Sequence, residues 1–314
     1  MINKRGISRI TLGSTQLGLD YGINPVNQVS TAAETHEILK YAFTNGINSI
    51  DTSPIYGSSE KRIGKFIKEI DSKEIFVITR LEAQEFSDEI WDDRKALSKR
   101  IDKEFELSKT RLNLRQIPAY ILHFADQSFK NNGIILDKLV EMKKKGFIKF
   151  IGTSLYTGDE LERCIEDTRI DVVQLPFSIL DRRLLESGLL NKAHRRGLII
   201  FARSIFLQGL VFMQWLPAQL SNAQETIDTL HYLVAICDLS VNELCLRYVL
   251  SIKEISVVIG IDSLKQLKEN TRVASLGSLD KSILKKVEKL PQMPADLIDI
   301  RSWGQNYNFT GEIK

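Results

Sequence analysis

Short apolar runs recur along the chain, and each is followed by a stretch with helical periodicity. They are ISRITLGS, INSIDTS, EIFVITR, PAYILHF, FIKFIGTS, DVVQLPF, LIIFARS and EISVVIG, eight in all. Strands that are near-continuously apolar are buried on both faces, which is the condition of a parallel sheet covered by helices. After the first run, STAAETHEILKYAFTNG predicts a helix opened by a Thr31–Glu34 capping box and closed at Gly46. SSEKRIGKFIKEI sets Ile63, Phe66, Ile67 and Ile70 on one helical face. Further helices are expected over 88–112, 133–145, 158–166, 183–196, 222–236, 240–251 and 263–275.

Eight strand–helix units predict an α/β protein of the closed (β/α)8 TIM-barrel kind. An open doubly wound sheet would have fewer strands and a GxGxxG turn after the first, which is absent. No proline- or glycine-rich linker divides the sequence. Residues 1–314 are therefore expected to form one barrel domain, with the less regular 276–314 a C-terminal extension over one barrel mouth.

Composition narrows the class. Of 314 residues, 43% are hydrophobic and 26% charged, ordinary for a globular protein able to bury a full core. The net charge of +3 is small, with basic and acidic residues interspersed, so nucleic acid and membrane surfaces are poor partners. No apolar run approaches the roughly 18 residues of a membrane span, and MINKRGISRI lacks a signal-type apolar segment. A cytoplasmic protein is expected. Cys164, Cys237 and Cys245 lack metal-type spacing and are odd in number, so no metal site or disulfide framework is expected and they read as core filling. His36, His194 and His231 fall in helical patterns and read as surface or packing residues.

In a parallel barrel all strands point the same way, so the residues that close them gather at one mouth. Here those residues are the GSTQ segment from Gly13, Asp51, Arg80, His123, Ser154, Gln174, Ser204 and Gly260. One polar strand end is unremarkable; a ring of them that includes Asp, Arg and His points to a site.

These segments resemble the aldo-keto reductase superfamily over almost the whole chain: IDTSPIYGSSEKRIG, LHF, GTSLY, VVQLPFSILDRR, ARSIFLQGL and GIDSLKQLKEN occur in the family's order. The resemblance implies an NAD(P)-dependent carbonyl reductase or alcohol dehydrogenase working with an Asp, Tyr, Lys and His tetrad. Tyr56 would be the general acid toward the carbonyl oxygen, His123 would orient that oxygen, and Asp51 would hold the cation that tunes the phenol. A phenol titrates near pH 10, and one fixed charge at about 4 Å in a medium of effective dielectric about 20 is worth about 4 kcal/mol, or about three pKa units. That cation needs a carboxylate in turn, since an unpaired charge in a barrel mouth is costly.

The chain departs from the family in places. The lysine's slot holds Arg80, which keeps the charge but is larger and cannot release a proton. The aromatic face expected before the seventh strand's serine is Arg203, and Leu155 follows GTS where many relatives carry Asn. The cofactor set implied by the resemblance is Ser14, Thr15, Asp51, Ser154, Gln174, Arg203, Ser204, Phe206, Gly209, Gly260, Ser263, Gln266, Glu269 and Asn270. Of these, Ser154 and Gln174 would carry the carboxamide, and Glu269 and Asn270 would read the adenine. Cations that relatives use against a 2′-phosphate are missing where this chain has Gly260 and Gln266, with Lys265 and Lys268 nearby. NADP and NAD both remain open, with a lean to NADP from the family. Phe124, Tyr156, Phe177, Trp215 and Trp303 are candidates to line the substrate cup, or plain packing residues.

Two functions follow. One is a reductase acting on an aldehyde or ketone, such as a keto-sugar, with a small carbonyl or alcohol as its partner molecule. The other is a nucleotide-binding sensor or regulatory subunit with weak or no turnover, because Arg80 replaces the lysine.

Overall fold

The computed structural model describes residues 2–3, 5–19, 29–70, 74–253 and 255–298. Eight parallel strands close into a barrel in sequence order: β1 (Ile10–Gly13), β2 (Ser49–Asp51), β3 (Phe76–Leu81), β4 (Ile117–Leu122), β5 (Ile148–Ser154), β6 (Val172–Pro176), β7 (Ile199–Arg203) and β8 (Ile255–Gly260). All eight expected strands are present. The ring closes where Gly13 of β1 pairs with Gly260 of β8 and, on its other side, with Asp51 of β2.

The helices follow in chain order as α1 (Ala32–Thr44), α2 (Ser59–Ile70), α3 (Asp88–Asp92), α4 (Arg94–Arg111), α5 (Ala125–Phe129), α6 (Ile134–Lys144) and α7 (Gly158–Glu166). Then come α8 (Arg183–Glu186), α9 (Leu189–Arg196), α10 (Gln224–Cys237), α11 (Val241–Ser251), α12 (Leu264–Ser275), α13 (Lys281–Val287) and α14 (Ala295–Ile298). At α1 the capping box forms as expected: the Thr31 amide donates to Glu34 Oε2 at 2.8 Å and the Glu34 amide to Thr31 Oγ1 at 3.2 Å. Two helices expected to be continuous are broken. Within 88–112, Asp93 takes an extended conformation and accepts the amides of Lys95 and Ala96, so it starts a new helix. Within 183–196, Gly188 sits at φ +77°, a left-handed geometry that ends α8. Cys164 and Cys245 are buried as expected, whereas Cys237 is only half-buried, with Lys286 Nζ 3.9 Å away.

Inward-facing residues alternate along each strand. Ile78 of β3, Ala119 and Ile121 of β4, Val172 of β6, Phe201 of β7 and Val258 of β8 fill the barrel with Phe76, which stacks on Phe201 at 6.1 Å. The intervening positions, such as Val77, Tyr120, Val173 and Ile200, pack outward in the larger core under the helices. Two residues beyond the interior layer, the same inward face carries Arg80, His123, Gln174, Arg203 and Gly260. The period of two thus turns an apolar plug into a polar floor at the strands' C-terminal end.

Part of the C-terminal region docks at this same end. The Met293 amide donates to Leu180 O at 2.8 Å, and Arg182 Nη2 donates to Leu290 O at 2.8 Å, both partners lying in the loop after β6. Trp303 and the rest of 299–314 lie outside the described residues. Among the described residues, no helix is long and apolar enough to cross a membrane.

Candidate active site

Asp51 and Arg80 meet in the buried floor of the mouth, with Arg80 Nη2 3.0 Å from Asp51 Oδ1 and 3.1 Å from Oδ2. Strand pairing brings this about, because β2 and β3 are neighbours and both residues face inward at their C-terminal ends. Gln174, from the opposite wall, closes the network: its Oε1 accepts from Arg80 Nη2 at 2.6 Å and its Nε2 donates to Asp51 Oδ1 at 2.8 Å. Arg80 Nη1 donates to Thr52 O, while Nε is buried without a partner. Asp51 raises the affinity of Arg80 for its proton far enough to overcome the burial that opposes it, so the cation is permanent.

Tyr56 lies beyond β2 with its ring under the guanidinium, Arg80 Cζ being 5.6 Å from the ring centroid. No hydrogen bond joins the guanidinium to the phenol; the Thr15 side chain, near the hydroxyl, also favours the phenolate slightly. Burial raises the phenol above its ordinary range, Arg80 pulls it down, and Asp51 pushes it up again. The net direction is upward, opposite to what a lone cation would produce. Burial is the largest cause and outweighs Arg80's pull, which Asp51 partly offsets.

The Tyr56 loop is seated by backbone contact with the turn after β1. A Cβ on Gly18 would overlap the Tyr56 carbonyl oxygen and lie 2.6 Å from the Ser59 nitrogen, while one on Gly57, at φ +54°, would overlap the Gly18 carbonyl. Only glycine allows this approach. We expect Gly18→Ala to displace Tyr56 and to lower kcat by up to about 100-fold while circular dichroism stays native, because misplacement near 1 Å suffices for such losses.

His123, following β4, stacks on Phe124 at 4.8 Å and sets Nδ1 2.7 Å from Glu82 Oε2. Glu82 was missed by reading the sequence, although it lies two residues beyond Arg80 and continues the inward-facing period of β3. Burial pushes its carboxyl up, but hydrogen bonds from His123, Ser53 and Gln84 outweigh this and leave it below the usual range. It is anionic at neutral pH.

The remaining expected residues are distributed around this floor. Ser14 is buried, and its hydroxyl accepts from Ser59 Oγ at 2.7 Å. Ser154 is buried next to Gln174, its register partner. Gln174 spends both ends of its amide on Arg80 and Asp51. Arg203 lies over the Tyr156 ring, Cζ to centroid 4.1 Å, and donates to Leu155 O and Ser204 Oγ at 3.3 Å. In the following loop Ser204 (φ +61°), Leu207, Gln208 and Gly209 (φ +100°) are left-handed, and Phe206 packs on Phe212 at 5.3 Å. Ser263 caps α12 by accepting the Gln266 amide; Asn270 is buried; Glu269 is exposed and ion-paired to Arg272 at 2.8 Å. Phe177 is buried against Tyr248, a packing role, and Trp215 is 81% exposed. His36 packs edge-on against Phe66 and His231 bonds Val211 O, both helix-side roles.

An inward-facing Asp–Arg pair, a phenol under the cation and a carboxylate-held histidine thus meet at the C-terminal mouth of the barrel, the end where barrels of this kind carry their sites. The sequence pattern of the aldo/keto reductase family matches residues 9–291, and the chain belongs to that family. It is therefore an NAD(P)-dependent oxidoreductase. It is 29% identical over 304 residues to L-galactose dehydrogenase of Arabidopsis thaliana, covering 90% of each chain. It is 24% identical over 270 residues to the NADH-specific methylglyoxal reductase of Escherichia coli (strain K12), covering 75% of this chain and 81% of that one. Among solved structures, the holo form of an aldo-keto reductase from Bacillus halodurans superposes with a TM-score of 0.74 at 21% identity, covering 92% and 93% of the two chains.

Proposed function

We propose that this chain interconverts a small polar aldehyde or ketone and its alcohol, with Tyr56 as the general acid toward the carbonyl oxygen. The observation that carries the reading is the buried Asp51–Arg80 pair with the Tyr56 ring beneath it. NAD(P)H, when bound, supplies a hydride to the carbonyl carbon. The chain's own residues do the rest. Tyr56 holds the proton that the oxygen receives, Arg80 favours the phenolate left behind, and Asp51 with Gln174 fixes Arg80 in place. Arg80 cannot itself relay a proton, so its role is electrostatic. The named relatives, a sugar dehydrogenase and a methylglyoxal reductase, support hydroxylated or dicarbonyl substrates.

The residues present fit a dinucleotide. The left-handed turn from Ser204 to Gly209 and the capped start of α12 offer backbone amides for phosphates. A Cβ at position 260 would lie 3.0 Å from Gln16 Nε2 and crowd that amide, so glycine keeps the corner open. Asp262, just before the α12 cap, leaves Oδ1 buried and unpartnered while Oδ2 accepts from Gln266. Such a carboxylate suits a ribose 2′-hydroxyl and repels a 2′-phosphate. We therefore expect kcat/KM with NADH to exceed that with NADPH by about tenfold, and Asp262→Asn to narrow the gap, the scale set by like charges a few ångströms apart near a surface.

The activity itself is tested by following NADH absorbance over methylglyoxal, glyceraldehyde and a panel of aldoses and keto-sugars. Turnover that disappears in Tyr56→Phe supports the reading. Nucleotide binding with no turnover on any carbonyl, and no gain from Arg80→Lys, would replace it with the sensor.

A further inference from the structure

Glu82 is held independently of His123. The Ser53 hydroxyl and Gln84 Nε2 (2.6 Å) both donate to it, and Gln127 in turn donates to Gln84 Oε1 at 3.3 Å. An ionised carboxylate can only accept hydrogen bonds, so the His123 nitrogen 2.7 Å from Oε2 is the one that carries hydrogen. In the neutral ring the lone pair then lies on Nε2, which has no hydrogen-bond partner among the described residues.

We propose that Glu82 is a positioning residue that sets the hydrogen-bonding polarity of His123: the neutral ring offers an acceptor at Nε2, and only the doubly protonated ring offers a donor. The inference rests on the reading of His123 as the group that orients the substrate oxygen. A carbonyl oxygen has no hydrogen to give and is received by the protonated ring, whereas an alcohol can donate its hydroxyl to the neutral one. One proton on the pair therefore selects between the oxidised and reduced forms of the substrate. No bond is made or broken at His123; the proton that ends on the substrate oxygen comes from Tyr56. The charged and titratable groups that share this corner are Arg80 from β3, Glu82 just after it and Tyr56 from the loop after β2. Arg80's charge is met by Asp51, and Glu82 is the carboxylate in contact with the imidazole. The other groups, Ser53, Gln84 and Gln127, are neutral.

Glu82→Gln replaces an acceptor-only carboxylate by an amide that can offer Nδ1 either a donor or an acceptor, so the tautomer is no longer dictated. For methylglyoxal reduction, KM should rise in this variant while kcat changes less, because the polarity that the ring presents to the substrate oxygen is no longer set. An unchanged KM would overturn the proposal. The second readout needs no nucleotide and no turnover: nitrogen NMR of the full chain labelled at histidine, with the His123 signals assigned by their loss in His123→Gln. In the wild-type protein at alkaline pH, a protonated Nδ1 with a bare Nε2 is expected, and an Nε2–H tautomer would refute it. If the expected tautomer is found while no carbonyl is turned over, the reductase reading fails and the assignment of Glu82 stands.

Discussion

Tyr56→Phe removes a single oxygen and should lower kcat by about 10²- to 10⁴-fold, the usual contribution of a positioned general acid. The loss should appear in kcat, with nucleotide affinity, read by fluorescence titration, nearly unchanged. The aromatic ring would still fill its place beneath Arg80, so the fold is not at issue. What vanishes is the hydroxyl that the proposed function makes the proton donor, and Arg80, a permanent cation, cannot stand in for it. Retention of a tenth or more of the wild-type rate would show that another group, His123 foremost, is the acid.

The second large effect is on stability. Arg80→Met leaves Asp51 buried beside Gln174 without its counter-charge, and breaking one side of a buried ion pair costs about 3–5 kcal/mol. Urea denaturation should register a loss of that size. The double change Asp51→Asn with Arg80→Met should recover a good part of it, because no uncompensated charge then remains. Arg80→Lys separates charge from geometry: it keeps the cation but cannot reach Thr52 O, Asp51 and Gln174 together as the guanidinium does. A small stability loss with altered kcat would show that the fork, and not merely the charge, matters to Tyr56.

Much of this was legible in the chain itself. Eight apolar runs, each followed by a helical pattern, pointed to a barrel, since an open doubly wound sheet would have fewer strands and a GxGxxG turn that the chain lacks. The same reasoning located Asp51, Arg80, His123 and Gln174, because in such a barrel the end of every strand reaches one mouth. Glu82 escaped because an acid two residues past the expected strand end resembles an ordinary loop residue. Only continuation of the two-residue period from Ile78 through Arg80 could have signalled that it faces inward. The helix breaks at Asp93 and Gly188 were written locally, as a capping acid and a glycine, yet were obscured by the apolar periodicity running across them.

The sequence by itself determined the architecture, the mouth and the cast of polar side chains that collect there, since period and strand direction are properties of the chain. Tertiary structure alone decided who pairs with whom. It joined Gln174 to Arg80 and Asp51 across the barrel, buried the phenol so that desolvation outweighs the guanidinium's pull, and gave His123 to Glu82. Those outcomes depend on distances of 3 Å or so between residues up to 123 positions apart. Hydrogen bonds and ion pairs at that range are fixed by how the walls close, which no local pattern encodes.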